Sequence, residues 1–198
     1  MSVTGTTAEK TQLKFLSKLA FKNPAEYLRL LRRFERVVAL SKLSYHQRAL
    51  RKHGLRVHKE QREAALLCCA FAALTGDQTY EFASHEQADY DAVFRCREGN
   101  LHCYTLVQLK EVVPSHLDPQ ASIEREVSKL AKYADSEDLV VGVFVKQQGT
   151  FQLRQMNLPK VKVSQVWAFG ALSPDQTRWF LFGDMLSEPT FTEFAYPS

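Results

Sequence analysis

No pair of cysteines in this chain has the Cys-x-x-Cys spacing, and no His and Cys cluster has the spacing of a zinc site. The four cysteines, Cys68, Cys69, Cys96 and Cys103, therefore read as buried free thiols. Also missing is an apolar stretch that could cross a bilayer. The longest, Ala64 to Leu74, has 11 residues against the about 20 a membrane helix needs, so it belongs to a buried helix. The opening residues MSVTGTTAEKTQLKFL show neither the basic start, the apolar centre nor the cleavage site of a secretory signal. The expected setting is the cytoplasm, with reduced thiols and no membrane partner. No Gly-rich phosphate loop, nucleophile elbow, internal repeat or low-complexity tract is present.

What is present is ordinary globular material. With 198 residues, 45% hydrophobic and 24% charged, the chain is long enough for a substantial core. Its charge is unevenly spread. Residues 1–62 carry 15 Lys and Arg against 4 Asp and Glu, while residues 63–198 carry 11 against 18. This divides the chain into a basic helical amino-terminal extension, residues 1–54, and an α/β domain, residues 55–198. A basic part of this kind suits a polyanionic partner.

Hydrophobic spacing predicts a helix from Pro24 to about Lys42, capped by Asn23, with Tyr27, Leu31, Phe34 and Val38 on one face. The opposite face holds Arg29, Arg32, Arg33 and Arg36. Val57 to Leu74 forms a second long helix that becomes apolar all round. Strands follow at 78–83, 90–97 and 102–109, with Gly99-Asn100 as a two-residue hairpin turn. Asp118 and Pro119 then open a helix whose buried stripe is Ile123, Val127, Leu130, Ala131 and Ala134. The run DLVVGVFV, residues 138–145, has the content of a central strand covered on both faces. Further strands fall at 161–170 and 178–183. The expected fold is α/β, a mixed sheet flanked by helices.

The hairpin turn makes paired positions sum to 199. Asp91 then faces Gln108 and Asp89 faces Lys110, on the side that also collects Val93, Tyr104 and Leu106. Tyr90, Ala92, Phe94, Cys96, Cys103, Thr105, Val107 and Leu109 take the other side. A strand that buries an amide and an ammonium among apolar residues needs a partner or a ligand for them. Three explanations compete: a structural Asp-Lys ion pair, a binding pocket without chemistry, and a metal-dependent phosphodiesterase site.

The residues DYDAV, a hairpin and VQLK resemble the PD-(D/E)XK nuclease superfamily, over about residues 57–146. The resemblance implies a restriction-endonuclease-like core of a helix, three antiparallel strands, a helix and another strand. It implies Asp91 as the aspartate of the second strand and Gln108-Leu109-Lys110 as a Gln-x-Lys variant of the third. Glu63 is the matching glutamate on the preceding helix, with Glu60 second. In that reading Asp91, Glu63 and Gln108 hold Mg²⁺ or Mn²⁺, and Lys110 orients and activates water. Glutamine in place of the commoner glutamate removes one negative charge and weakens Mg²⁺ binding. The superfamily also includes inactive members, so a nucleic-acid-binding or protein-interaction module is the alternative.

The partner implied is nucleic acid, DNA before RNA. Arg29, Arg32, Arg33 and Arg36 form a phosphate-tracking face, and Arg125, Lys129 and Lys132 are the candidates on the later helix. The basic side chains can instead dock on the acidic body of the same molecule. Oligomeric state is left open, a homodimer included. His58, His85 and His116 have no metal-ligand spacing, and Trp167 and Phe169 read as core.

Overall fold

The apolar run near residue 140 sets the middle of the architecture. In the computed structural model, which describes residues 7–40, 56–85, 90–132, 136–147, 156 and 158–198, it forms strand β4, Ser136–Val145, buried at every position from Leu139 onward. Seven strands make one sheet in chain order: β1 (Glu81–Ser84), β2 (Ala92–Glu98), β3 (Leu101–Val112), β4, β5 (Val163–Ala171), β6 (Arg178–Gly183) and β7 (Thr190–Ala195). The first three strands pair antiparallel, β3, β4 and β5 pair parallel, and β5, β6 and β7 are again antiparallel. The described helices are α1 (Thr7–Leu16), α2 (Pro24–Ala39), α3 (Arg56–Thr75) and α4 (Ile123–Ser128), which runs into a 3₁₀ turn at Lys129–Lys132. None is long and apolar enough to cross a membrane.

The β2–β3 register runs from Ala92 opposite Val107 to Glu98 opposite Leu101, the pairing that the two-residue turn dictates. Gly99 takes a φ of 60°, which closes the loop at no steric cost. Cys96 stands directly opposite Cys103, and both are free thiols. Only Cys68 of the four cysteines is buried; the other three are half-buried.

Both sheet faces are covered, so there are two cores. On one side Ala64, Leu67 and Phe71 of α3 and Leu28 of α2 pack against Ala92, Phe94, Val107 and Phe144. On the other, Ile123 and Val127 of α4 and Leu16 of α1 pack against Val93, Val141 and Val143. Fully burying a side chain such as Leu67 or Val93 contributes about 1.5–3 kcal/mol. Helix and sheet approach most closely at Gly142, where an added Cβ would lie 2.3 Å from Leu67 Cδ2. Tyr90 sits with Val93 in the second core, not with Ala92 as strand alternation had it, because it precedes β2 and is not bound by the strand period.

The helices expected within residues 1–54 join this body. Leu28 and Leu31 of α2 are buried, and Lys22 exchanges two backbone hydrogen bonds with Phe82 at the edge of β1, 2.9 and 3.0 Å. Residues 41–55 lie outside those described.

Two local expectations are corrected. Asp118 does not cap α4: its Oδ1 accepts the Gln120 amide, 3.0 Å, in a local turn. Ser122 caps instead, its Oγ accepting the Arg125 amide at 3.1 Å. Strand β7 was not among the expected strands. Its two phenylalanines, Phe191 and Phe194, are three residues apart, so the period-2 signal of a half-buried strand is absent.

Candidate functional site

β2 stops pairing at Ala92, yet the ladder goes on for one more step through a side chain. Just before β2, Asp91 is fixed by its own backbone: its N–H donates to Val107 O at 2.9 Å, and its carbonyl accepts from His85 N at 3.1 Å. Its carboxylate Oδ2 then accepts the Leu109 N–H at 2.7 Å. The same oxygen accepts a hydrogen bond from Gln108 Nε2. Gln108 is buried, and its Nε2 also lies 3.4 Å from Leu109 O.

Gln108 and Lys110 alternate with Leu109 and Glu111 along β3, so they take the face of Leu106 and Val112, the side covered by α4. In the parallel register they stand beside Val141 and Val143, also of that core. Gln108 and Lys110 thus share one face near the carboxyl end of β3, with Asp91 bonded to Gln108. Asp89, the fourth member expected there, lies outside the described residues.

Glu63 does not join them. It projects from α3 into the opposite side of the sheet and is 5% exposed. Lys146, just beyond β4, donates to Glu63 Oε1 at 3.0 Å and reaches Glu111 Oε1 at 2.9 Å. Lys59 bonds Glu111 Oε2 and lies 3.9 Å from Glu63. Two carboxylates and two ammonium groups therefore form a closed alternating cluster, which is what lets Glu63 be buried and the other three half-buried. Burial raises the Glu63 carboxyl above its ordinary pKa, and Lys146 and Lys59 reverse only part of that. At Glu111 burial acts the same way, but Lys146 and Lys59 outweigh it and hold the carboxyl below its ordinary value. Sequence reasoning missed Lys146 because nothing local ties it to a residue 83 positions earlier.

Whether a divalent cation suits the site depends on the donors. Asp91 and Gln108 meet through Oδ2 and Nε2; with the amide turned over, Gln108 would present Oε1, and two oxygens so placed call for a cation between them. Mg²⁺ is commonly held through one or two carboxylates together with water and substrate phosphate, and here Asp91 supplies one carboxylate. As placed, the Gln108 amide donates to Asp91, so only the turned-over amide would leave both residues presenting oxygen, and Glu63, held by Lys146, stands apart from them. Among the described residues no three His, Cys, Asp or Glu side chains cluster as a metal site.

The basic residues do not share one surface. On α2, Arg29 donates to the carbonyl of Ser198 and Arg32 to that of Asp175, 2.9 Å, with the Arg32 guanidinium 4.7 Å from the Tyr196 ring centroid. These two dock on the carboxyl-terminal part of the molecule, while Arg33 and Arg36 are exposed. The helix is rolled relative to its hydrophobic pattern, so that Leu30, Phe34 and Val37 face outward and Glu35 is half-buried. On α4, across the sheet, Arg125 pairs with Asp118 at 2.8 Å and Lys129 with Glu126. Lys132 ends the 3₁₀ turn. His85 is half-buried between Phe15 and Tyr90, ring centroids at 5.1 and 5.8 Å, closer to Asp91 than a free loop histidine.

No protein-family model, no curated protein and no solved structure matches the chain, so the chemistry of these residues is the ground on which its function is read.

Proposed function

We propose that the protein hydrolyses phosphodiester bonds in nucleic acid, DNA before RNA, at the cluster of Asp91, Gln108 and Lys110, on a restriction-endonuclease-like core. The observation that carries this reading is the hydrogen bond joining Asp91 to Gln108, with Lys110 two residues further along the same face of β3. The element order supports it: α3, three antiparallel strands, α4, then β4 parallel to β3, the order of the PD-(D/E)XK core.

When bound, Mg²⁺ or Mn²⁺ would neutralise phosphate charge, held by Asp91 and Gln108. Lys110 orients the attacking water and stabilises negative charge gathering on the phosphoryl oxygens, which is electrostatic help more than proton abstraction. The water oxygen bonds to phosphorus, the bond to the leaving strand breaks, and the departing oxygen takes up a proton. The peptide amide of Leu109 keeps the Asp91 carboxylate at the end of the ladder throughout.

A second reading is a module of the same fold that binds nucleic acid or protein without cutting. It is favoured by the two donors already on Asp91 Oδ2, an arrangement that ends a β-ladder without any catalysis. The experiment is cleavage of single- and double-stranded DNA in Mg²⁺ or Mn²⁺, wild type beside Lys110→Ala. Metal-dependent cleavage lost in the variant supports the hydrolase; equal binding by both with no cleavage by either supports the module.

A further inference from the structure

At the turn end of the β2–β3 hairpin, away from Asp91, two free thiols face each other: Cys96 is the direct register partner of Cys103. The kind of pair they make follows from the next residue. The Arg97 N–H donates to Thr79 Oγ1 at 3.0 Å, just before β1, and so points away from β3. Arg97 and His102 are therefore a non-hydrogen-bonded pair, and Cys96 and Cys103, one step further in, a hydrogen-bonded one. Such pairs hold their Cα atoms about 5.5 Å apart, inside the range of about 4.4–6.8 Å that a disulfide spans. Direct partners also send their side chains to the same face.

That face is the one packed on α3, because Cys96 alternates with Ala92 and Phe94 along β2. Phe94 is buried, whereas Arg97, Glu98, Leu101 and His102 are exposed. The two thiols thus lie at the rim of the core, half-buried and open to a small reagent. Cys68 belongs to the same core but is fully buried, which leaves Cys103 as the partner for Cys96. Burial pushes both thiols above their ordinary pKa, aided by Cys103 at Cys96 and by Glu98 at Cys103. Thiolate is then scarce at neutral pH and grows with rising pH.

We propose that Cys96 and Cys103 form a dithiol modification site that a low-molecular-weight disulfide, of the glutathione disulfide kind, oxidises to a cross-strand disulfide. One protein thiolate attacks a sulfur of the reagent, breaks its S–S bond and releases one thiol. The second protein thiolate attacks the resulting mixed disulfide at the protein sulfur and releases the other thiol. The two cysteines are oxidised, the reagent is reduced to two thiols, and the protons the cysteines lose end on those thiols. The new bond encloses only residues 97–102, which the turn already brings together. It constrains the unfolded chain little, and its exposed position makes it readily reduced again.

The test is oxidised glutathione added to the full chain at about pH 7 and about pH 9, followed by alkylation of the remaining thiols and mass mapping of tryptic fragments. Expected is a product in which Cys96-Arg97 is joined to Glu98–Lys110, formed about tenfold faster per pH unit and reversed by dithiothreitol. Cys96→Ser and Cys103→Ser should each stop at a mixed disulfide with glutathione on the remaining cysteine, and Cys69→Ser should behave as wild type. A disulfide that includes Cys68 or Cys69, glutathione retained on both Cys96 and Cys103, or no reaction at either pH overturns the proposal. The wild-type map decides by itself should a serine variant fail to fold. Cleavage at Lys110 is scored separately and bears on neither outcome.

Discussion

The Asp91 carboxylate accepts the Leu109 backbone N–H at 2.7 Å, standing where the next carbonyl of β2 would otherwise stand. Removing it leaves a half-buried amide without that acceptor. Asp91→Ala is therefore expected to lose about 1–3 kcal/mol, read as a lower urea midpoint with an unchanged slope. Asp91→Asn keeps an oxygen for Leu109 and should lose less. Equal losses in the two variants would remove the ladder-capping role.

Gln108→Glu would place a second carboxylate against Asp91. Without metal the two negative charges repel, and the variant should melt below wild type. If Asp91 and residue 108 hold the cation, added Mg²⁺ should raise the variant's melting temperature by more than it raises that of wild type. An identical Mg²⁺ response in both proteins argues against a cation at Asp91 and Gln108.

The Glu63, Glu111, Lys59 and Lys146 cluster predicts a pH signature. Glu111 has a folded pKa below its ordinary value, so its stabilising contribution is present above that value and lost as pH falls through the depressed folded one. Glu63 is raised, so its contribution is present below the ordinary value and lost as pH rises through the folded one. Glu111→Gln should thus be less stable than wild type at pH 7, with the gap narrowing toward pH 3. Chemical denaturation across that range measures it, and a gap independent of pH contradicts the pairing.

Arg33 and Arg36 are exposed on α2, as Arg29 is, so replacing either by alanine should change stability by less than about 0.5 kcal/mol. If they track phosphates, each replacement weakens DNA binding and lowers the slope of log affinity against log salt by about 1. Arg32→Ala instead loses the stacking on Tyr196, about 0.5–1 kcal/mol of stability. A salt slope unchanged by Arg33→Ala and Arg36→Ala removes those two arginines from the interface.

The hairpin could be read from sequence because two local signals agree there. Gly99-Asn100 fixes the loop, and any slip of one residue would mix polar and apolar faces. The polar pair Gln108 and Lys110 stood out against the same apolar background. What was hidden is long-range. Lys146 meets Glu63 across 83 residues and Arg32 meets Asp175 across 143, and neither contact leaves a mark on local spacing. The roll of α2 follows from such contacts: its hydrophobic pattern offered two overlapping faces, and packing on α3 and Tyr196 chose between them. At α4 two capping residues competed, and Asp118 was satisfied by its own turn.

The sheet keeps its strands in chain order, with antiparallel meanders at either side and parallel pairing only at β3, β4 and β5. Each meander closes through short loops, so both can form quickly and independently. Joining them requires β4 to return alongside β3, and β5 alongside β4, after long excursions of the chain, and such closures are slow. The late event in folding is then the zipping of the molecule's middle. The carboxyl ends of β3, β4 and β5, Lys110 among them, take shape only when that event is complete.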